Sequence, residues 1–336
     1  MSLRHHRNRL LTGIPHLLLL LLVGPLPCLA GSFGSSAEDR IRHAPGYAGS
    51  AGNLTLTFCL DPKTAPVEAA VGLQAAVDTW NALVGTTGNL DPTLGVPATE
   101  MDFQSTVLRG IGLCLGLDDP SDSFGYARAA RGINGAFDRD AGSDGTAGTA
   151  DDVRGDDDAW VWFRIADNLP FLETVTVDAS TVSRDTGVLP EGDNFPTVAT
   201  RQVALVSGFV GTEAVMVNAV GPGEARRTLT HDDVTTLRYA RAGLDETAAT
   251  ADDYTTTLSY VGITDQCDVR VTFEPQDGLV ACPGFLSAFD APNGHHEVAN
   301  LLGFMAFNSE VSWYFEVLFN DGFESGDTSR WSSASP

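Results

Sequence analysis

Val107 to Pro120 read Val-Leu-Arg-Gly-Ile-Gly-Leu-Cys-Leu-Gly-Leu-Asp-Asp-Pro, and this stretch is the most informative part of the chain. Its apolar residues recur at the spacing of a buried helix, and Gly116 stands where such a helix would end. Apolar runs that contain glycines are common, so this window alone is equally well explained by a helix with only a packing role. The surrounding segments decide between packing and function.

The first thirty residues have the composition of an export signal. Arg4, Arg7 and Arg9 form a basic start, residues 17–23 form an apolar core, and small residues lead to a cleavage point after Ala30. The apolar core is too short to span a bilayer. We therefore predict a secreted protein that has no transmembrane anchor.

Composition limits the classes of partner. The formal net charge is −24, from 44 acidic and 20 basic residues. So acidic a chain repels nucleic acid and anionic membranes and favours cations. We expect no nucleic-acid partner, and solubility outside a cell explains the charge without a specific acidic function. The oligomeric state stays open.

Four of the five cysteines lie beyond the export signal, at positions 59, 114, 267 and 282. An even number in an exported protein predicts two disulfides, and four cysteines permit three pairings. We favour Cys267–Cys282, which would close a short loop, and Cys59–Cys114, which would tie an early strand to the Val107 helix. The sequence alone proves neither pairing.

The spacing of the apolar residues changes along the chain. The earlier segments include both helical and strand-like spacing, and the later segments have only strand-like spacing. Residues 54–60 alternate as in a half-buried strand, and Thr230 with Asp233 forms a capping box that begins a helix. From Tyr254 onward the period is two. A further helix opens at Pro66, and its predicted apolar face consists of Ala70, Leu73, Val77, Trp80 and Val84.

These patterns predict an α+β fold, in which a mixed sheet packs with helices and a small all-β module follows. The predicted divisions are residues 1–30 for the export signal, 31–245 for the first domain, 246–318 for the β module and 319–336 for a C-terminal tail. Residues 295–303 superficially match a zinc-binding helix. They alternate as in a strand and follow Pro292, so we interpret them as a strand.

An acidic segment occurs twice. Ala141–Val153 and Ala242–Tyr254 are identical at nine of thirteen positions. The first copy combines carboxylates, glycines and backbone carbonyls, and hard oxygen donors in a flexible loop suit Ca²⁺. The spacing differs from that of an EF-hand, and a solvated turn is the simpler explanation. The calcium candidates are Asp138, Asp140, Asp144, Asp151 and Asp152.

Several ordered blocks of the chain resemble secreted bacterial matrixin-like proteins of the metzincin family of zinc metallopeptidases. That family carries His-Glu-x-x-His-x-x-Gly-x-x-His, and the defining positions here hold Arg109, Gly110, Leu113, Gly116 and Asp119. Three further blocks follow in the same order: Arg154–Asp158 with Trp162–Arg164, Thr212–Met216 and Thr228–Arg238. The resemblance spans most of residues 50–262. It implies a metzincin-like sheet and places Met216 in a turn beneath the metal.

The zinc chemistry of this family does not carry over. Two histidines one helical turn apart hold zinc, and the glutamate takes a proton from the bound water. Arg109 cannot ligate zinc, Gly110 has no carboxylate and Leu113 has no lone pair. Asp119 is the only remaining possible zinc ligand. Zn²⁺ is thus expected for the family but not in this chain, and no catalytic residue is predicted.

Three functions follow from these observations. The first is a pseudoprotease, a metallopeptidase homologue without catalysis that binds a peptide or protein. The second is an active zinc endopeptidase with a non-standard metal site built from His231, His295, His296 and nearby acids. The third is a calcium-stabilised surface module.

Overall fold

The computed structural model describes residues 41–118, 209–217, 220–290, 294–301 and 303–316. Between residues 30 and 204 it also describes short pieces: residues 30–31, 33, 130–131, 137–140, 153–154, 162–164, 182–183, 201 and 204. The predicted export signal up to residue 29 and the predicted tail, residues 319–336, lie outside the described residues.

The described part of the chain contains sixteen strands and three α-helices. The strands are β1 (Ala30–Gly31), β2 (Ile41–His43), β3 (Gly52–Leu60), β4 (Met101–Asp102), β5 (Ala130–Arg131), β6 (Phe137–Asp140), β7 (Val153–Arg154), β8 (Trp162–Arg164), β9 (Val182–Ser183), β10 (Tyr254–Ile263), β11 (Val269–Glu274), β12 (Val280–Ala281), β13 (Gly284–Asp290), β14 (His295–Leu301), β15 (Phe304–Asn308) and β16 (Trp313–Tyr314). The helices are α1 (Ala69–Ala82), α2 (Phe103–Cys114) and α3 (His231–Arg241), and Pro92–Leu94 forms a short 3₁₀ turn.

The largest sheet is mixed and has the strand order β10-β3-β11-β15-β12. β3 runs parallel to both β10 and β11, β11 runs parallel to β15, and β12 closes one edge antiparallel to β15. The predicted α+β class is confirmed. The predicted boundary between residues 245 and 246 falls within the span of this sheet, because β3 lies before it and the other four strands lie after it.

Helices α1 and α2 pack against each other and share the main core with the large sheet. α1 buries Leu73, Val77 and Trp80, and the Trp80 indole Nε1 donates a hydrogen bond of 2.8 Å to the Leu108 carbonyl oxygen. The predicted face was wrong at its end. Val84 is exposed, because α1 stops at Ala82 and Leu83 adopts a left-handed conformation that turns the chain away.

A smaller sheet joins β2, near the beginning of the chain, to β13 and β14, which lie more than 240 residues later. β14 pairs antiparallel with β13 and parallel with β2, so that His295 lies opposite Ile41 and Glu297 lies opposite His43. The interpretation of residues 295–303 as a strand is confirmed for His295–Leu301. The remaining strands form three small sheets: β1-β8-β9, β5-β6-β7 and β16-β4.

The favoured disulfide pairing was wrong. The bonds are Cys59–Cys267 and Cys114–Cys282, with Cα atoms 6.0 and 5.4 Å apart. Strand pairing explains the first bond, because β3 and β11 are neighbours and Cys267 lies two residues before β11. The second bond ties the end of α2 to the residue that follows β12.

Two disulfides are consistent with an extracellular protein. Among the described residues, none of the helices has the length and apolar character needed to cross a membrane.

Candidate functional site

The helix predicted from Val107 onward is α2, and both of its ends have clear physical causes. Asp102 caps its start, where one carboxylate oxygen accepts from the Ser105 amide at 3.0 Å. Helical structure ends at Cys114, and Gly116 follows with a φ of +98°. A Cβ at Gly116 would also lie 2.9 Å from the Arg42 side chain, so this turn needs glycine.

Arg109, which the resemblance aligns with the family's first zinc ligand, is half-buried. Its Nε donates to the Met216 carbonyl oxygen at 3.3 Å. The side chain thus bonds to the backbone of a neighbouring turn and offers no lone pair to a metal.

Packing fills the space at the two positions, Gly110 and Leu113, that the resemblance aligns with the base and the second ligand. A Cβ on Gly110 would lie 2.5 Å from the Met305 sulfur and 3.0 Å from Val280, so no side chain fits there without movement. Leu113 is half-buried and packs against the main core. Asp119 lies outside the described residues. The three described positions therefore provide neither zinc ligands nor a general base.

Met216 lies directly against α2. A Cβ on Gly112 would come within 2.3 Å of the Met216 sulfur, which shows how closely the thioether approaches the helix backbone. The turn that carries Met216 is fixed from the other side by the buried Asp233 carboxylate. That carboxylate accepts from the amides of Val215 at 2.9 Å and Met216 at 3.2 Å.

A buried ion pair, which the sequence did not indicate, also holds this turn. Arg226 is 2 % exposed, and its Nη1 donates to Glu213 at 2.6 Å. Its Nη2 donates to the carbonyl oxygens of Val217 at 2.7 Å and Val215 at 3.3 Å. Arg226 thus spans the turn on both sides of Met216. Glu213 lies in one of the blocks that resemble the family, but nothing in the sequence pairs it with Arg226.

The second copy of the acidic repeat forms a turn between α3 and β10. Asp245, Asp252 and Asp253 have carboxylate oxygens within 4.8 Å of one another. Hydrogen bonds inside the turn account for this arrangement: the Thr250 hydroxyl contacts all three carboxylates, and the Ala249 amide donates to Asp253 at 2.6 Å.

The calcium candidates, which lie in the first copy and just upstream of it, are described only in part. Asp138 and Asp140 lie on β6, whose backbone pairs with β7. Asp144, Asp151 and Asp152 lie outside the described residues. Calcium binding at these positions stays a prediction.

The histidines proposed for a non-standard metal site occupy different surroundings. His231 begins α3 and packs against Gly85, whereas His295 lies in β14 beside His43. In the part of the chain that the structure describes, the only three donors close enough to share an ion are the aspartates of the repeat turn, and they include no histidine.

His43 and His295 form a fully buried pair. His43 Nδ1 donates to the Ala240 carbonyl oxygen at 3.0 Å, so in the neutral ring Nε2 is free to accept from His295 Nδ1, 2.9 Å away. Burial, together with the neighbouring His295, lowers the pKa of His43 to about 3, although Glu246 and Asp252 act in the opposite direction. The pair fastens β2 to β14 and to the end of α3.

Comparisons with protein-family models, with curated proteins and with solved structures found no match to this chain.

Proposed function

We propose that this chain is a matrixin-like metallopeptidase homologue that has lost catalysis and acts outside the cell as a peptide- or protein-binding pseudoprotease. The proposal rests on the residues that occupy the face of α2 beside Met216 and on how this face is packed. Arg109, Gly110 and Leu113 occupy the positions of the ligands and base, and the space beside Gly110 is filled by Met305 and Val280. The sequence blocks that occur in the family's order support the proposed relationship to the metallopeptidases. The packing of Met305 and Val280 around Gly110 accounts for the loss of zinc chemistry in this proposal.

The edge of the main sheet supports a binding role. β12 is the last strand on its side of the sheet within the described residues, and Val280 of this strand packs over Gly110. A sheet edge offers unpaired backbone groups, to which an extended peptide adds as a further strand. The Cys114–Cys282 bond anchors this edge to α2 and so holds the peptide-binding surface in place.

Metal analysis of the purified, exported protein tests the proposal. We expect less than stoichiometric zinc and no chelator-sensitive cleavage of unstructured peptides. Stoichiometric zinc with chelator-sensitive cleavage would establish an active endopeptidase and would overturn the proposal. Bound calcium without peptide binding would favour the surface module instead.

Restoring two histidines should create zinc affinity if the relationship is correct. Arg109 and Leu113 lie four residues apart on α2, so Arg109→His combined with Leu113→His places two imidazoles on one helical face. We expect the folded double variant to retain zinc in metal analysis after dialysis, whereas the Arg109→His single variant retains none. A folded double variant that binds no zinc would count against the relationship.

The general base should be restored separately, because Gly110→Glu must displace Met305. We expect Gly110→Glu alone to lower the melting temperature and Gly110→Glu with Met305→Ala to recover part of that loss, since the sulfur 2.5 Å from the new Cβ is then removed. Thermal unfolding of the parent and the two variants measures this. An equal loss in both glutamate variants would show that Met305 is not the obstacle.

A further inference from the structure

A pocket of about 230 Å³ opens between the last turn of α3 and the start of β10. Its walls include Arg238 and Arg241 of α3, Gly52 of β3, Tyr254 of β10 and Asp253 of the repeat turn. This volume lies below the roughly 300–1,000 Å³ of pockets for drug-sized ligands, so it suits a small molecule or a single charged group.

None of the carboxylates in the described part of the chain balances the charge of Arg241. Its Nη2 donates to the Thr256 hydroxyl, and its Nε is buried without a hydrogen-bond partner. Within the described residues, no acidic side chain forms an ion pair with Arg241. This is unexpected in a chain with 44 acidic residues, in which Arg226 and Arg227 both pair with carboxylates.

The one acidic wall residue is already engaged. The Asp253 carboxylate accepts from the Ala249 amide at 2.6 Å and from the Thr250 hydroxyl at 3.0 Å, and these bonds hold it to its own turn. Arg238, which also lines the pocket, adds a second positive charge. The Arg241 guanidinium beside this second positive charge makes a favourable site for an anion, because a guanidinium group donates charge-assisted hydrogen bonds to a carboxylate or phosphate.

The guanidinium keeps its positive charge in this environment. Burial lowers the pKa of Arg241, and neighbouring Arg238 lowers it further, while Tyr254 opposes the shift. An arginine side chain nevertheless stays protonated at physiological pH. The cost of holding this charge without a counter-ion is relieved when an anion binds.

We propose that this pocket binds a small oxyanion, a carboxylate or a phosphate, that pairs with the Arg241 guanidinium beside Arg238. The overall negative charge of the chain does not prevent this, because charges more than about 8 Å from the site are largely screened at physiological ionic strength. The site is separate from the α2 face, so it does not depend on the proposed pseudoprotease function.

Isothermal titration calorimetry tests the proposal. The exported protein is titrated with inorganic phosphate and with citrate, each at constant ionic strength, so that binding of a phosphate is distinguished from binding of a carboxylate. We expect saturable binding of at least one of them. Arg241→Gln should weaken that binding by at least about tenfold, as expected for the loss of a charge-assisted pair. Arg270→Gln is the matched control, because it removes the same charge from the Arg270–Asp61 pair, which does not line the pocket, and should leave binding unchanged.

A second variant keeps the test decisive if Arg241→Gln does not fold. Gly52 lines the pocket, has no atom within 4 Å of a built Cβ and has no positive φ, so Gly52→Leu is compatible with the fold and is expected to obstruct the pocket while both arginines remain. We expect this variant also to abolish binding. Absence of saturable binding by either anion, or unchanged affinity in Gly52→Leu, would overturn the proposal.

Discussion

Replacement of Arg226 by methionine is expected to lower the free energy of unfolding by about 3 kcal/mol, at the low end of the range for breaking a buried ion pair. The variant leaves Glu213, 6 % exposed, without its closest cation, and it leaves the Val215 and Val217 carbonyl oxygens without their Arg226 donor. The loss is moderated because Arg201 still bonds to Glu213 at 3.0 Å. Urea unfolding followed by tryptophan fluorescence measures the change.

Two comparisons separate this effect from a general loss of charge. Arg270→Met breaks the more exposed Arg270–Asp61 pair and should cost less than about 1 kcal/mol. Adding Glu213→Gln to Arg226→Met should recover part of the loss, because the remaining buried group is then uncharged. Equal losses for Arg226→Met and Arg270→Met would show that the buried pair contributes nothing beyond a surface pair.

The Arg226 pair also shows where sequence-based prediction of this molecule succeeds and where it ends. Sequence patterns whose residues all lie within one helical turn predicted the structure correctly. Thr230 and Asp233 form the predicted capping box, with the hydroxyl and the carboxylate each bonded to the backbone of the other, and α3 begins at the next residue. The helix at Val107 and its glycine end were predicted correctly for the same reason.

Features that depend on distant residues were missed. Cys59 and Cys267 are 208 positions apart and meet only because β3 pairs with β11, which no local pattern specifies. The sequence reveals that Gly110 lacks a carboxylate, but it gives no sign that Met305 has occupied the space. His43 and His295 were not predicted to be partners, since 252 positions separate them and each lies on a strand whose pairing is non-local.

That histidine pair leads to the second large effect, a loss of stability in acid. The pKa of His43 is about 3 in the folded protein, against 6.5 for an unperturbed histidine. Below pH 6.5 the unfolded chain therefore binds a proton that the folded chain does not, and stability falls as the pH falls. At about 1.4 kcal/mol per pH unit, His43 should remove about 3 kcal/mol between pH 6.5 and pH 4.

The geometry explains why the folded protein resists this proton. His43 Nδ1 already donates to Ala240, so a proton on Nε2 needs His295 to give up the proton on its Nδ1, 2.9 Å away, and to carry it on Nε2, which faces Glu246 at 3.4 Å. Both rings are fully buried, so water does not solvate the added positive charge. Protonation should therefore separate β2 from β14, which hydrogen exchange of the amides of residues 41–43 would detect as faster opening in acid.

His43→Gln tests the assignment, because an amide keeps hydrogen-bonding atoms in this position and does not titrate. Carboxylates elsewhere in the chain also respond to acid, so the informative quantity is the difference between the parent and the variant. We expect the variant to be less stable than the parent at pH 7 and to lose about 3 kcal/mol less between pH 6.5 and pH 4. Parallel stability curves for the two proteins would rule out His43 as the source of acid sensitivity.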